Sequence, residues 1–173
     1  MKSLTTVQEM NLIMYELDDR VFPYQGGESD TVANMALIAE TLLRLPKNVR
    51  ERVLVEVYFI ALSDVGEYGR VCFRSGEPTA TVFLSFVSME KWSKKRKMNL
   101  IAHEIAHFIL GHEMRPADDV KRKKHINSRD LERDLELMKS RFRDRERQAD
   151  DLCEKWKFGR CYSQFQLAHL WKD

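Results

Sequence analysis

The chain has 173 residues, 43% apolar and 32% charged, with Lys+Arg 29 against Asp+Glu 27. That length suits a single domain, residues 1–173, with a real core, and that mixture excludes a disordered chain. A net charge of +2 gives no support for a protein dominated by nucleic-acid binding. Cys72, Cys153 and Cys161 sit at spacings that match no zinc or redox pattern. A disulfide scaffold is thereby excluded, and a cytoplasmic setting is expected. The opening residues lack the apolar stretch of a signal peptide, and no apolar run approaches the roughly 20 residues of a membrane span.

In chain order, Val7, Met10, Met14, Leu17 and Val21 recur at alternating three and four, which predicts a helix from Val7 to Arg20. Thr6 and Glu9 are placed to form its capping box. Phe22 to Ser29 reads as a loop, and Ser29 or Asp30 as the cap of a second helix through Leu45, ended by Pro46. A short helical turn, Lys47 to Arg52, leads into Val53 to Leu62, whose Val, Tyr, Phe and Ile predict a strand. Val71 to Arg74 and Thr79 to Val87 flank a turn-rich connection and predict a hairpin. A helix follows Ser93 and stops at Gly111; a longer one starts after Asn127 or Ser128 and ends at Gly159. Ser163 to Trp171 reads as a short final helix. Helices, a small mixed or antiparallel sheet and further helices make an α+β layout.

His103-Glu104-Ile105-Ala106-His107 is an H-E-x-x-H motif. On a helix, two histidines four apart share a face and can share one Zn²⁺. The intervening glutamate then serves as general base toward a zinc-activated water. The flanking Asn99 to Leu110 is apolar around nearly its whole circumference, so this helix should be buried. Buried polar groups need partners, and the plain alternative is a pair of core histidines bonded to backbone.

The long C-terminal helix offers a third ligand. Leu131, Leu135, Met138, Phe142, Glu146, Ala149, Cys153 and Trp156 form an inward stripe that Glu146 interrupts with a carboxylate. A charge on such a stripe is nearly always paired or metal-bound. A salt bridge to Arg143, Arg145 or Arg147 is the alternative. Asp150, one turn on, can accept the free ring N–H of a zinc histidine.

His103-Glu104-x-x-His107 followed by Glu146-x-x-x-Asp150 resembles the gluzincin branch of the zincin metallopeptidases. His103 to His112 and Glu146 to Trp156 are also similar to small bacterial and phage-encoded metallopeptidases, among them peptidases that cleave phage repressors. The resemblance covers Thr79 onward. It implies a zinc-dependent hydrolase acting on a protein or peptide, with His103, His107 and Glu146 on the metal, Glu104 as base and Asp150 in support. It also implies that substrate lies along a sheet edge, for which Thr79 to Phe86 is the natural candidate. Leu110 and Glu113 stand where a metzincin needs Gly and His. His112 is an alternative ligand, about 140° around the helix from His107. The residue that stabilises the oxyanion stays unassigned among His112, His125, Tyr162 and His169.

The basic runs Lys91 to Lys97 and Lys121 to Lys124 read first as solvated surface, with nucleic-acid contact as a minor alternative. Two other functions remain open: a zinc-binding regulatory module without peptidase activity, and a metal hydrolase acting on a non-peptide bond.

Overall fold

Thr5 starts the first helix by accepting the Gln8 amide, while the Gln8 side chain accepts from the Thr5 amide. This capping box sits one residue earlier than the sequence suggests. Helix α1 (Thr6–Leu17) buries Ile13 and Leu17 and leaves Val7 exposed. Phe22, expected in a loop, forms with Val21 the two-residue strand β1 (Val21–Phe22). The computed structural model describes residues 5–22, 28–62, 68–73, 79–112 and 128–161. The expected final helix and the basic run at 121–124 lie outside the described residues.

Helix α2 (Glu28–Arg44) presents Met35, Ile38, Ala39 and Leu42 to the core at helical spacing. Pro46, which cannot continue a helix, stands at the N-cap of α3 (Lys47–Glu56). This helix runs four residues beyond the expected Arg52 and takes Val53 to Glu56 from the predicted strand. Val49 and Val53, one turn apart, are both buried, and an Arg52–Glu56 ion pair closes the outer face. The i, i+4 pattern wins there over the strand preference of valine.

Strands β2 (Val57–Ala61), β3 (Gly69–Phe73) and β4 (Ala80–Leu84) complete a four-stranded mixed sheet of order β1-β2-β4-β3. β1, β2 and β4 run parallel, and β3 pairs antiparallel with β4. The hairpin is therefore present, and the fold class is α+β, as expected. β4 is not the free edge, however. It is hydrogen-bonded on both sides, so Thr79 to Phe86 is not the expected edge, and among the described residues β3 is the edge strand on that side.

Helix α4 (Lys94–Ile109) is capped by Ser93, which accepts from the Arg96 amide, and lies against β3 and β4. Helices α2 and α5 (Ser128–Lys155) also pack against it. Every residue of α4 from Met98 to Phe108 is buried. Each Leu or Ile so enclosed favours folding by about 1.5–3 kcal/mol. The basic residues at its start face outward, where Lys94 pairs with Glu40 and Arg96 stacks over Trp92. The buried apolar side chains among the described residues form one core cluster, and no described helix is long and apolar enough to cross a membrane.

Helix α5 stops at Lys155, before the expected Gly159. Lys157 takes a positive φ of 65°, and the Phe158 amide bonds back to the Cys153 carbonyl. Gly159 serves a different purpose: a Cβ there would stand 2.8 Å from Asn99 Nδ2.

Candidate metal centre

The buried helix α4 carries His103 and His107 on one face, and the packing of α5 against it brings Glu146 opposite them. The spacing of Glu146, Ala149, Asp150 and Cys153 puts all four at the α4 contact, and all are buried. His103 Nε2 lies 3.0 Å from His107 Nε2 and 3.0 Å from Glu146 Oε2, while His107 Nε2 is 3.3 Å from Glu146 Oε1. Donors held roughly 2.0–2.1 Å from a shared tetrahedral ion stand about 3.3 Å apart, so these separations suit a common metal. Among the described residues these three form the group able to hold an ion, and His112 is not part of it.

The proton positions favour the same conclusion. Asp150 Oδ1 lies 2.9 Å from His103 Nδ1, and a carboxylate only accepts. The Nδ1 proton of His103 is therefore engaged there, which leaves Nε2 to offer its lone pair to the centre. Two ring nitrogens and a carboxylate whose lone pairs converge repel one another unless a proton or a cation lies between them. In the metal-free chain a proton supplies that role. Burial alone would lower the His103 pKa, but hydrogen bonds with Asp150, Cys153 and Glu146 raise it well above the usual 6.5. Burial alone would likewise raise Glu146, and hydrogen bonds with His103 and His107 instead push it down to about 2. A cation can take the proton's place.

Compared with known protein-family models, characterised proteins and solved structures, the chain matches none. A functional reading therefore rests on the site's own chemistry.

Cys153 and Cys161 lie beside the centre without supplying a thiolate. Burial raises the Cys153 thiol, and burial pushes Cys161 up to about 12, so both stay protonated at neutral pH. The Cys161 amide donates to Asp150 Oδ1 at 3.0 Å, which fixes the carboxylate that orients His103.

Glu104 is buried, and its charge helps to raise His103. Its carboxylate packs on Gly69 of β3: a Cβ at Gly69 would stand 3.0 Å from both Glu104 Cγ and Oε1. Gly69 thus makes the room that lets this side chain lie between α4 and the edge strand. Sequence reasoning passed over it, because an isolated glycine near a strand has many explanations.

His112 is buried just past the end of α4, with Nδ1 3.0 Å from His107 Nδ1 and Nε2 3.0 Å from Gln148 Oε1. Burial lowers its pKa below the usual 6.5, so the ring is neutral at neutral pH. The structure thus brings together His103, Glu104, His107, Glu146 and Asp150. His112 stands behind His107 instead of joining the ligands. His125, Tyr162 and His169 lie outside the described residues.

Proposed function

We propose that the chain is a zinc-dependent metallopeptidase of the zincin kind, in which His103, His107 and Glu146 hold the metal and Glu104 is the general base. The observation behind this reading is the convergence of three buried donors beside a fourth buried group, Glu104, that is not one of them. Closed structural zinc sites use four protein ligands, whereas three leave a position for a reactant. A further buried carboxylate kept out of the donor set suits a general base, which a purely structural site does not need.

Zinc, when bound, supplies Lewis-acid activation of water and of a carbonyl. The residues of the chain do the rest. Glu104 accepts the proton of the attacking water and delivers it to the leaving amine nitrogen. Asp150 holds His103 by its Nδ1 proton, which fixes the ring and raises its basicity. Among the described residues no strand pairs with the outer edge of β3. An extended peptide added there would pass close to Glu104, because Gly69 belongs to that strand.

The test uses the zinc-loaded chain and Glu104→Gln against a proteome-derived peptide library, with new termini read by mass spectrometry. Wild type should cut, and Glu104→Gln should keep its zinc while losing about 10²- to 10⁴-fold in turnover. A zinc-loaded wild type that cuts no peptide would contradict the peptidase reading and favour a metal-binding module or a hydrolase of another bond.

A further inference from the structure

Gly111 ends α4 with φ +65°, a conformation glycine adopts at no steric cost. The Gly111 amide bonds to the Phe108 carbonyl at 3.1 Å, and the His112 amide to the His107 carbonyl at 3.0 Å. Those two bonds define a Schellman turn, in which the residue after the glycine folds back over the helical residue five positions earlier. An apolar contact frequently accompanies that turn. Here the two residues are His112 and His107, and their Nδ1 atoms meet at 3.0 Å.

Only one proton can lie between two Nδ1 atoms, so its owner matters. Gln148 Oε1 accepts at 3.0 Å, which places the His112 proton on Nε2 and leaves its Nδ1 bare. The shared proton then belongs to His107 Nδ1, and His107 Nε2 keeps its lone pair for the centre. We propose that His112 is a positioning residue for the metal, accepting the His107 Nδ1 proton and, with Gln148 behind it, fixing the tautomer and ring plane of His107. It matches on His107 what Asp150 does for His103, through a neutral ring instead of a carboxylate. One ligand histidine thus rests on α5 directly and the other through the turn that ends α4. This inference rests on the metal-site reading but not on the bond that is cleaved.

The experiment is zinc affinity by chelator competition on the full chain, for wild type, His112→Leu, His112→Asn and Gln148→Ala. His112→Leu keeps the bulk and the apolar contact such a turn accepts, but offers no acceptor. It should bind zinc about 10- to 100-fold more weakly. His112→Asn presents an oxygen close to the position of Nδ1 and should recover most of that loss. Gln148→Ala should show a smaller loss of the same sign. In ¹⁵N spectra of zinc-loaded wild type, His112 should carry its proton on Nε2, a readout that needs no substitution. Unchanged affinity in His112→Leu overturns the inference, as does an Nδ1 proton on His112. An equal loss in His112→Leu and His112→Asn marks a packing role and overturns it too. A wild type that takes up no zinc removes the metal site itself, a failure separate from that of His112.

Discussion

Helix α4 is buried on every side from Met98 to Phe108, whereas α5, from Arg133 to Lys155, buries Glu146, Ala149, Asp150 and Cys153 alone among its described side chains. Both carry candidate metal ligands, yet they are held in different ways. Packing all round holds α4, since shifting it would expose apolar residues on one face or another. α5 is fixed by a narrow stripe and by the hydrogen bonds of Glu146 and Asp150 to His103 and of Gln148 to His112. The two helices also end in the same turn. After α5 the returning residue is the buried Phe158, and after α4 it is the buried His112. An apolar residue is the ordinary occupant there, so the histidine points to a task beyond ending a helix.

The largest effect expected from this contrast is on stability. Ile101→Ala, at a position with no exposed surface, should cost about 2–5 kcal/mol by denaturant unfolding of the metal-free chain. Leu137→Ala, on the exposed side of α5, should stay within about 0.5 kcal/mol. Equal losses would erase the distinction between the helices.

Next is Asp150→Ala, which removes the acceptor of the His103 Nδ1 proton. Zinc affinity by chelator competition should fall about 10- to 100-fold, with Glu104 chemistry otherwise intact. Affinity at the wild-type value would mean that α5 supports Glu146 alone.

The smallest effect is graded with pH. Metal-free His103 holds its proton well above pH 6.5, and zinc must displace that proton. Affinity should therefore rise with pH, by up to about tenfold per unit for one proton, and flatten above the raised pKa. Glu146, held at about 2, contributes no proton competition near neutrality. Its stabilisation of the metal-free fold also weakens as pH falls, in a lower window. A depressed pKa adds stability that is present above the unfolded carboxylate value and lost as pH falls toward 2. Isothermal titration at several pH values, with buffers of different ionisation enthalpy, counts the released proton.

How much of this could be read beforehand differs between the same two helices. His103, Glu104 and His107 were legible because a charged trio inside an apolar helix admits few explanations. Glu146 and Asp150 were legible once the α5 stripe was followed, since a helix fixes which residues share a face. Elements governed by local chemistry, such as the Ser93 cap and the Gly111 stop, also fell where expected. What escaped depended on partners distant in sequence. The strand order that places β4 inside and β3 at the edge is a tertiary pairing, and no periodicity encodes it. Val53 lay in a segment equally fit for helix or strand, and packing of Val49 and Val53 decided it. Gly69 acquires meaning only when Glu104 is seen against it. His112 had a local signal, glycine then histidine five residues after a ligand, and a Schellman turn would have linked it to His107.

The central claim is that α4 and α5 share one metal through His103, His107 and Glu146. Metal content and affinity of wild type, His103→Ala and Glu146→Ala under metal-limited conditions test it most directly. About one zinc per chain is expected in wild type, lost or strongly weakened in both variants. Full zinc in Glu146→Ala, or none in a zinc-supplied wild type, would contradict it.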